Sequence, residues 1–144
     1  SMEGERVLLV DDEREFAETL AERLKSRGLR VDVAFDGQSA LERASHKTYD
    51  AVVLDLAMPG LDGLETLRRL RANNDEVQVI VLTGQATVDK ALEVIKAGAL
   101  DLLQKPAPLQ ELITKIEEAS SRRALLVEKH MEEKLKDIMG KKGW

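Results

Sequence analysis

The chain has 144 residues, of which 43% are apolar and 34% charged, and its formal net charge is −5. This length and composition suit one folded domain, and the acidic balance argues against nucleic acid as a partner of this segment. Cysteine is absent, which excludes disulfides and cysteine-bound metals. No apolar run reaches the ~20 residues that a membrane helix needs and no secretory leader is visible, so we expect a cytoplasmic location away from membranes.

The first half of the chain predicts strands and helices in alternation. Residues 7–10 are a continuous apolar run that ends at Asp11. Phe16, Leu20 and Leu24 follow at the spacing of one helix face, and Gly28 suits the left-handed backbone conformation that often ends a helix. Further along, the pattern predicts a second strand, a short helix and a third strand ending at Asp55, at residues 31–35, 39–45 and 51–54.

The second half repeats this alternation after a loop at residues 58–63. Asp62 and Glu65 have the spacing of a capping box at the start of the third helix. The fourth helix carries Val88, Leu92 and Ile95 on one face, between strands predicted at residues 77–82 and 100–103. Pro108 fits the first turn of the last helix, where a missing N–H costs nothing.

Five strands alternating with five helices imply an α/β fold, with a parallel sheet covered on both faces. Two doubly wound strand orders fit this pattern, and one of them is the flavodoxin-like order 2-1-3-4-5. In that order the direction of winding reverses between strands one and three. We therefore expect a ligand site at the carboxyl ends of those strands.

Polar residues stand where four of the predicted strands end: Asp11 and Asp12, Asp55, Thr83 and Lys105. Carboxylates this close repel one another, so one is protonated or a cation lies among them, and oxygen ligands suit Mg²⁺. A carboxylate can accept a phosphoryl group, whose oxygens an ammonium or a hydroxyl group can bind. Each residue also has a plainer explanation, since Asp11 or Asp12 could cap the first helix and Lys105 could lie on the surface.

Four ordered motifs resemble the receiver domain of two-component response regulators, the chemotaxis regulators among them. They are VLLVDDE, VLDLAMPGLDG, VIVLTG and KAGALDLLQKP, at residues 7–13, 53–63, 79–84 and 96–106. The resemblance covers residues 5–118 and implies the strand order 2-1-3-4-5. It also implies phosphoryl transfer to Asp55 from the phosphohistidine of a sensor histidine kinase or phosphotransfer protein. Such a protein is a switch and is not an enzyme in the sense of turnover.

The resemblance also implies a role for each residue of the site. Asp12 and Asp55 would bind Mg²⁺ directly and Asp11 largely through a water, with the carbonyl of Ala57 as a further ligand. Thr83 and Lys105 would bond the phosphoryl group, and the bond between Lys105 and Pro106 is expected to be cis. Phosphorylation would then switch the face built from helix four, strand five and helix five.

Three positions bear on how such a switch would work. Leu102 stands three residues before Lys105, where receivers often carry Tyr or Phe, and an aliphatic side chain cannot give the same aromatic signal. Ala57 and Gln85 occupy positions from which family members tune the lifetime of the acyl phosphate, and we expect the same influence here.

The chain continues past the predicted receiver domain as a helical extension, residues 119–144. Its apolar stripe would be exposed on a free helix, so we expect a homodimer through this extension or through the face of helix four, strand five and helix five. The stripe consists of Ala124, Val127, Met131, Leu135 and Ile138. The alternatives are an interdomain linker or a helix folded against its own domain. His46 and His130 have no second metal ligand at helical spacing, so both are predicted to be solvated surface residues.

Two other functions compete with the phosphorylated switch. One is a phosphate-insensitive, receiver-like interaction module. The other is a Mg²⁺-dependent aspartyl phosphohydrolase, although that class would place its nucleophile and acid two positions apart after strand one, whereas Asp11 and Asp12 are adjacent. A flavin carrier fits the sheet order but lacks the required phosphate loop.

Overall fold

The structure is a computed structural model that describes residues 4–58 and 62–141. Strands and helices alternate in chain order as β1 Arg6–Val10, α1 Arg14–Ser26, β2 Arg30–Ala34, α2 Gly37–His46, β3 Ala51–Leu54, α3 Gly63–Asn73, β4 Val79–Thr83, α4 Val88–Lys96, β5 Asp101–Gln104 and α5 Leu109–Lys141. The middle of the loop predicted at residues 58–63 and the last three residues of the predicted extension lie outside the described residues.

The five strands form one parallel sheet in the order β2-β1-β3-β4-β5. This confirms the α/β fold and the doubly wound, flavodoxin-like order. In the centre of the sheet Leu9 pairs with Val53, and Val53 with Ile80. β3 and β4 are buried along their whole length, which explains why their sequences are continuous apolar runs.

Each face of the sheet has its own hydrophobic core. On one face α1 and α5 cover the strands, through residues such as Leu24, Leu112 and Ile116. On the other face α2, α3 and α4 do so, through residues such as Leu67 and Val94. Val94 is the residue that α4 buries, whereas α1 and α3 each bury three or more, so α4 is the more weakly anchored helix.

Predicted helix ends are confirmed where a side chain or a glycine determines them. Gly28 has φ +91° at the close of α1. Asp62 caps α3, since its Oδ1 accepts a hydrogen bond of 2.8 Å from the N–H of Glu65. The Glu65 carboxylate lies 3.1 Å from Arg69 Nε, so an ion pair within the helix takes the place of the second half of the predicted capping box.

Several predicted boundaries need correction, including a displacement of one residue in β2 and in β5. β4 begins at Val79 and not at residue 77, because Val77 belongs to the preceding turn, where its N–H donates to the Asn74 carbonyl (3.2 Å). Pro108 lies directly before α5 and not in its first turn. Its carbonyl accepts the 3.2 Å hydrogen bond from Leu112 N–H that starts the helix.

α5 runs without a break through the predicted boundary at residue 118. Beyond that point Arg123 and His130 join it to loops of the domain: Arg123 lies 3.7 Å from Asp50, and His130 lies 2.8 Å from Glu76 Oε2 through Nδ1 and 3.9 Å from Asp75 Oδ2 through Nε2. His130 is a partly exposed surface residue, as predicted, but its partner, which lies 54 residues away in the chain, was not predicted. Within the described part of the chain, no helix is long and apolar enough to cross a membrane.

Candidate functional site

The aspartates predicted at the ends of two strands lie together. β1 and β3 are neighbours, and Val10 pairs with Leu54, so Asp11 and Asp55 leave the sheet side by side. One carboxylate oxygen from each of Asp11, Asp12 and Asp55 lies within 4.8 Å of the other two. Asp11 and Asp55 are 2% and 4% exposed, so neither carboxylate is fully hydrated. A compact set of oxygen ligands with this geometry fits a hard divalent cation such as Mg²⁺.

Lys105 brings a positive charge from the end of β5 into this cluster. Its Nζ lies 2.7 Å from Asp11 Oδ2, 3.0 Å from Glu13 Oε1 and 3.5 Å from Asp55 Oδ2. The same Nζ lies 4.4 Å from the centre of the Phe16 ring, which adds a cation–π contact. The bond from Lys105 to Pro106 is cis, as expected. The ammonium group is thus shared among several carboxylates.

Burial and charge act in opposite directions on this cluster. Burial raises the pKa of Asp11, although the hydrogen bonds from Lys105 and from the backbone of Glu13 oppose that shift. For Lys105, burial disfavours the charged form, but its hydrogen bonds with Asp11 and Glu13 outweigh burial and raise its pKa. Lys105 is therefore an ammonium group at neutral pH. The carboxylates around it carry more negative charge than it can balance, which favours an added cation.

The plainer explanation of the first two aspartates, that one of them caps α1, is not what the structure shows. The N-cap residue of α1 is Glu13. Asp11 Oδ1 accepts a hydrogen bond of 3.0 Å from the Glu13 N–H, outside the helix, and this bond orients the carboxylate toward the cluster. Glu13 was not predicted as a partner of Lys105, although its place next to the aspartates was a signal for it.

A glycine lets the helix after β3 approach the site. A Cβ atom on Gly63 would lie only 2.4 Å from Leu56 Cα and 2.5 Å from the Asp55 carbonyl oxygen. Any side chain here would therefore displace the backbone that carries Asp55. On the same loop, the N–H of Ala57 donates a long hydrogen bond of 3.4 Å to Asp55 Oδ1. The sequence indicated Gly63 only as a turn residue, so this packing role was missed.

Thr83 ends β4, on the other side of β3 from Asp11. It is 2% exposed, and its carbonyl accepts a hydrogen bond of 2.8 Å from the Lys105 N–H. Its hydroxyl oxygen lies 3.5 Å from the N–H of Gln85 in the loop that follows. Leu102, at the position where receivers often have an aromatic ring, is half-buried against the core on the α4 side. Thr83 and Lys105 are thus joined through the backbone, as neighbouring strand ends.

Comparison with known proteins agrees with this arrangement. The sequence model described as "Response regulator receiver domain" matches residues 7–117. The response regulator MprA of Mycobacterium leprae is 43% identical over 111 residues, which cover 77% of this chain and 49% of that protein. The chain thus spans about half the length of such relatives.

Solved structures of receiver domains have the same fold. The Francisella response regulator 1452 receiver domain has a TM-score of 0.78 and 34% identity, covering 83% of this chain and 98% of that one. A response regulator receiver domain protein from Clostridium thermocellum has a TM-score of 0.80 and 31% identity, covering 85% and 98%. With the sheet order and the aspartate cluster already established, these matches show that the chain belongs to the response regulator receiver domain family.

Proposed function

We propose that the chain accepts a phosphoryl group on Asp55 from the phosphohistidine of a sensor histidine kinase or phosphotransfer protein. The observation that carries this proposal is the position of the buried Asp55 carboxylate, which lies among Asp11, Asp12 and the Lys105 ammonium group. In the transfer, the bond from phosphorus to the histidine nitrogen breaks and a bond from phosphorus to an Asp55 oxygen forms. The product is an acyl phosphate. The chain is itself the acceptor of the phosphoryl group and does not convert a separate substrate repeatedly, as an enzyme would.

Each residue around Asp55 would have a different role in this transfer. Asp11, Asp12, Asp55 and the carbonyl of Ala57 would hold Mg²⁺, which supplies charge neutralisation for the incoming phosphoryl oxygens when it is bound. Lys105 supplies a mobile ammonium 3.5 Å from Asp55, close enough to pair with a phosphoryl oxygen. Thr83 supplies a hydroxyl donor from the neighbouring strand.

The donor protein needs a surface beside Asp55. A groove of about 620 Å³ opens between α1 and α5, and Glu13, Phe16, Leu20, Pro106 and Leu109 are among the residues that line it. Because Glu13 and Phe16 also contact Lys105, this groove borders the aspartate cluster directly. An apolar groove with a charged rim suits a helix of the phosphodonor protein.

Transfer of the phosphoryl group would then alter the face of α4, β5 and α5. Movement of Thr83 toward the phosphoryl group would pull on the loop between β4 and α4, and α4 is weakly anchored. Val88, Leu92 and Ile95 of α4 are 77%, 55% and 49% exposed, so a shift of this helix would change an apolar surface that a partner can read.

The test is incubation with acetyl phosphate and Mg²⁺, followed by measurement of intact mass. We expect one added phosphoryl group on the wild-type protein and none on Asp55→Ala or Asp55→Asn. Asp89→Asn, which changes an exposed aspartate of α4, is the matched control and should be phosphorylated like the wild type. Omission of Mg²⁺ should slow the reaction by at least about tenfold.

Three results would contradict the proposal. An adduct that persists in Asp55→Asn would move the acceptor elsewhere. The failure of acetyl phosphate to form an adduct, together with the failure of beryllofluoride to bind, would favour the phosphate-insensitive interaction module. Continuous hydrolysis of a generic phosphoester would favour the phosphohydrolase.

A further inference from the structure

One side chain joins the end of β5 to the loop between β4 and α4. Gln104 Oε1 accepts a hydrogen bond of 2.9 Å from the N–H of Ala86, and Gln104 Nε2 donates one of 2.8 Å to the carbonyl of Gly84. Nε2 also lies 3.0 Å from the carbonyl of Lys105. A single carboxamide thus satisfies a donor and an acceptor of the loop backbone, and this pair of contacts is called the Gln104 clamp below.

The chemistry of the clamp requires a carboxamide. The oxygen faces an N–H and the nitrogen faces two carbonyls, so rotating the amide by 180° would place donor against donor and acceptor against acceptor. Glutamate would keep the acceptor and lose the donor. Gln104 therefore continues the hydrogen-bonding pattern of β4 and β5 past Thr83, with which it pairs in the sheet register.

The clamp lies between the proposed site and the weakly anchored helix. The loop that it holds begins directly after Thr83 and ends at Thr87, the N-cap of α4. At the far end of the loop Lys90 Nζ donates to Gln85 Oε1 (3.1 Å), so the loop and the first turn of α4 are tied together. A displacement of the loop would thus be passed to α4.

In the described arrangement the Thr83 hydroxyl oxygen lies near its own loop, 3.5 Å from the Gln85 N–H. A hydroxyl that turned toward a phosphoryl group on Asp55 would leave that contact, which would free the Gln85 N–H and allow the loop to shift. Gln104 is held in β5 and does not travel with the loop. The clamp therefore opposes the shift. Leu102 has an aliphatic side chain that cannot make such polar contacts.

We infer that Gln104 is a positioning residue which holds the loop between β4 and α4, and with it α4, in one of two placements. This inference rests on the proposed function, because the second placement is the one that phosphorylation of Asp55 would favour. Its first measurement, however, uses the unmodified protein. Loss of the clamp should move both the loop and α4 toward the second placement.

The experiment compares the wild type with Gln104→Met, which preserves side-chain length and removes all three hydrogen bonds of the carboxamide. In the unmodified proteins, the amide of Ala86 should exchange with solvent about tenfold faster in Gln104→Met. The methyl resonances of Val88 and Leu92 should move part of the way toward the positions that beryllofluoride produces in the wild type. Gln104→Glu should lie between the two proteins in the exchange rate of Ala86.

Gln38→Met, at an exposed glutamine of α2, is the matched control and should resemble the wild type in both measurements. An unchanged exchange rate of Ala86 in Gln104→Met would overturn the inference. So would faster exchange with unmoved resonances of Val88 and Leu92, because the clamp would then act on the loop alone. If the wild type forms no adduct with acetyl phosphate and does not bind beryllofluoride, the proposed function fails. The clamp is then still tested by the exchange rate of the Ala86 amide and by any movement of the α4 resonances between the unmodified proteins.

Discussion

The two halves of α5, residues 109–119 and residues 120–141, share a helix and an apolar stripe, yet their surroundings are opposite. In the first half, Leu112 and Ile116 are 1% and 0% exposed, because they pack on the sheet beside α1. In the second half, Leu125 and Leu135 are 66% and 59% exposed. Helical periodicity therefore predicts that a face is apolar, and it leaves open what covers that face.

The contacts that hold the two halves also differ in kind. The first half is held by apolar burial, whereas the second half meets the domain through the ion pair of Arg123 with Asp50 and the contact of His130 with Glu76. Polar contacts near the surface contribute little to stability compared with a buried aliphatic side chain. The second half should therefore tolerate substitutions that the first half does not.

The largest expected effect compares the same substitution in the two halves. Leu112→Ala should lower the free energy of unfolding by about 2–5 kcal/mol, because it removes buried methyl groups and leaves a cavity. Leu135→Ala should change it by no more than about 0.5 kcal/mol. Urea denaturation at low protein concentration, where self-association does not contribute, measures both values. Similar losses in the two variants would show that the second half is packed on the domain in solution.

A smaller effect concerns what covers the exposed stripe. Met131, Leu135 and Ile138 recur at spacings of four and three and are 58%, 59% and 41% exposed, so we propose that a second copy of the chain covers them. Leu135→Lys should raise the dissociation constant of the dimer at least about tenfold, because it places a charge in the seam. Sedimentation equilibrium measures this constant.

Lys136→Glu, one position along and away from the stripe, is the control for a change of charge and should leave association unchanged. A dimer that survives Leu135→Lys but is lost in Leu92→Lys would place the interface on the face of α4, β5 and α5. A wild-type monomer at all concentrations would leave the linker as the better explanation of the extension.

The sheet and the aspartate cluster were predictable from sequence for one physical reason. Parallel strands end at a common edge, so residues that directly follow apolar runs, such as Asp11, Asp55 and Lys105, must lie near one another once the strand order is known. The roles assigned to these residues stay predictions.

What the sequence did not predict depends on side-chain conformations and loop paths. The Gln104 clamp requires one rotamer of Gln104 and one path of the loop after Thr83, and no periodicity encodes either. The same holds for Glu13, whose carboxylate reaches Lys105 across the edge of the sheet. The partner of His130 was missed because Glu76 belongs to a different part of the chain, and a single sequence gives no sign of that pairing.

The smallest expected effect is the pH dependence of the contact that ties the second half of α5 to the domain. The hydrogen bond with Glu76 raises the pKa of His130. Burial opposes that shift, and the charges of Asp75, Glu76 and Glu133 support it. A raised pKa in the folded state means that the contact stabilises the protein fully below the unfolded value of about 6.5, and that this stabilisation is lost as pH rises through the folded value.

The free energy of unfolding of the wild type should therefore exceed that of His130→Gln at about pH 5.5, and the difference should shrink by about pH 8.5. Taking the difference between two proteins removes the pH dependence that they share. His46→Gln is the matched control, because His46 pairs with Glu42 on its own helix and joins no second element. A difference for His130→Gln that is the same at both pH values, or that grows as pH rises, would show that the charge of His130 does not hold the second half of α5 in place. In that case the two halves of α5 would differ more sharply still. Of the two side chains that tie the second half to the domain, Arg123 and His130, Arg123 alone would act through its charge.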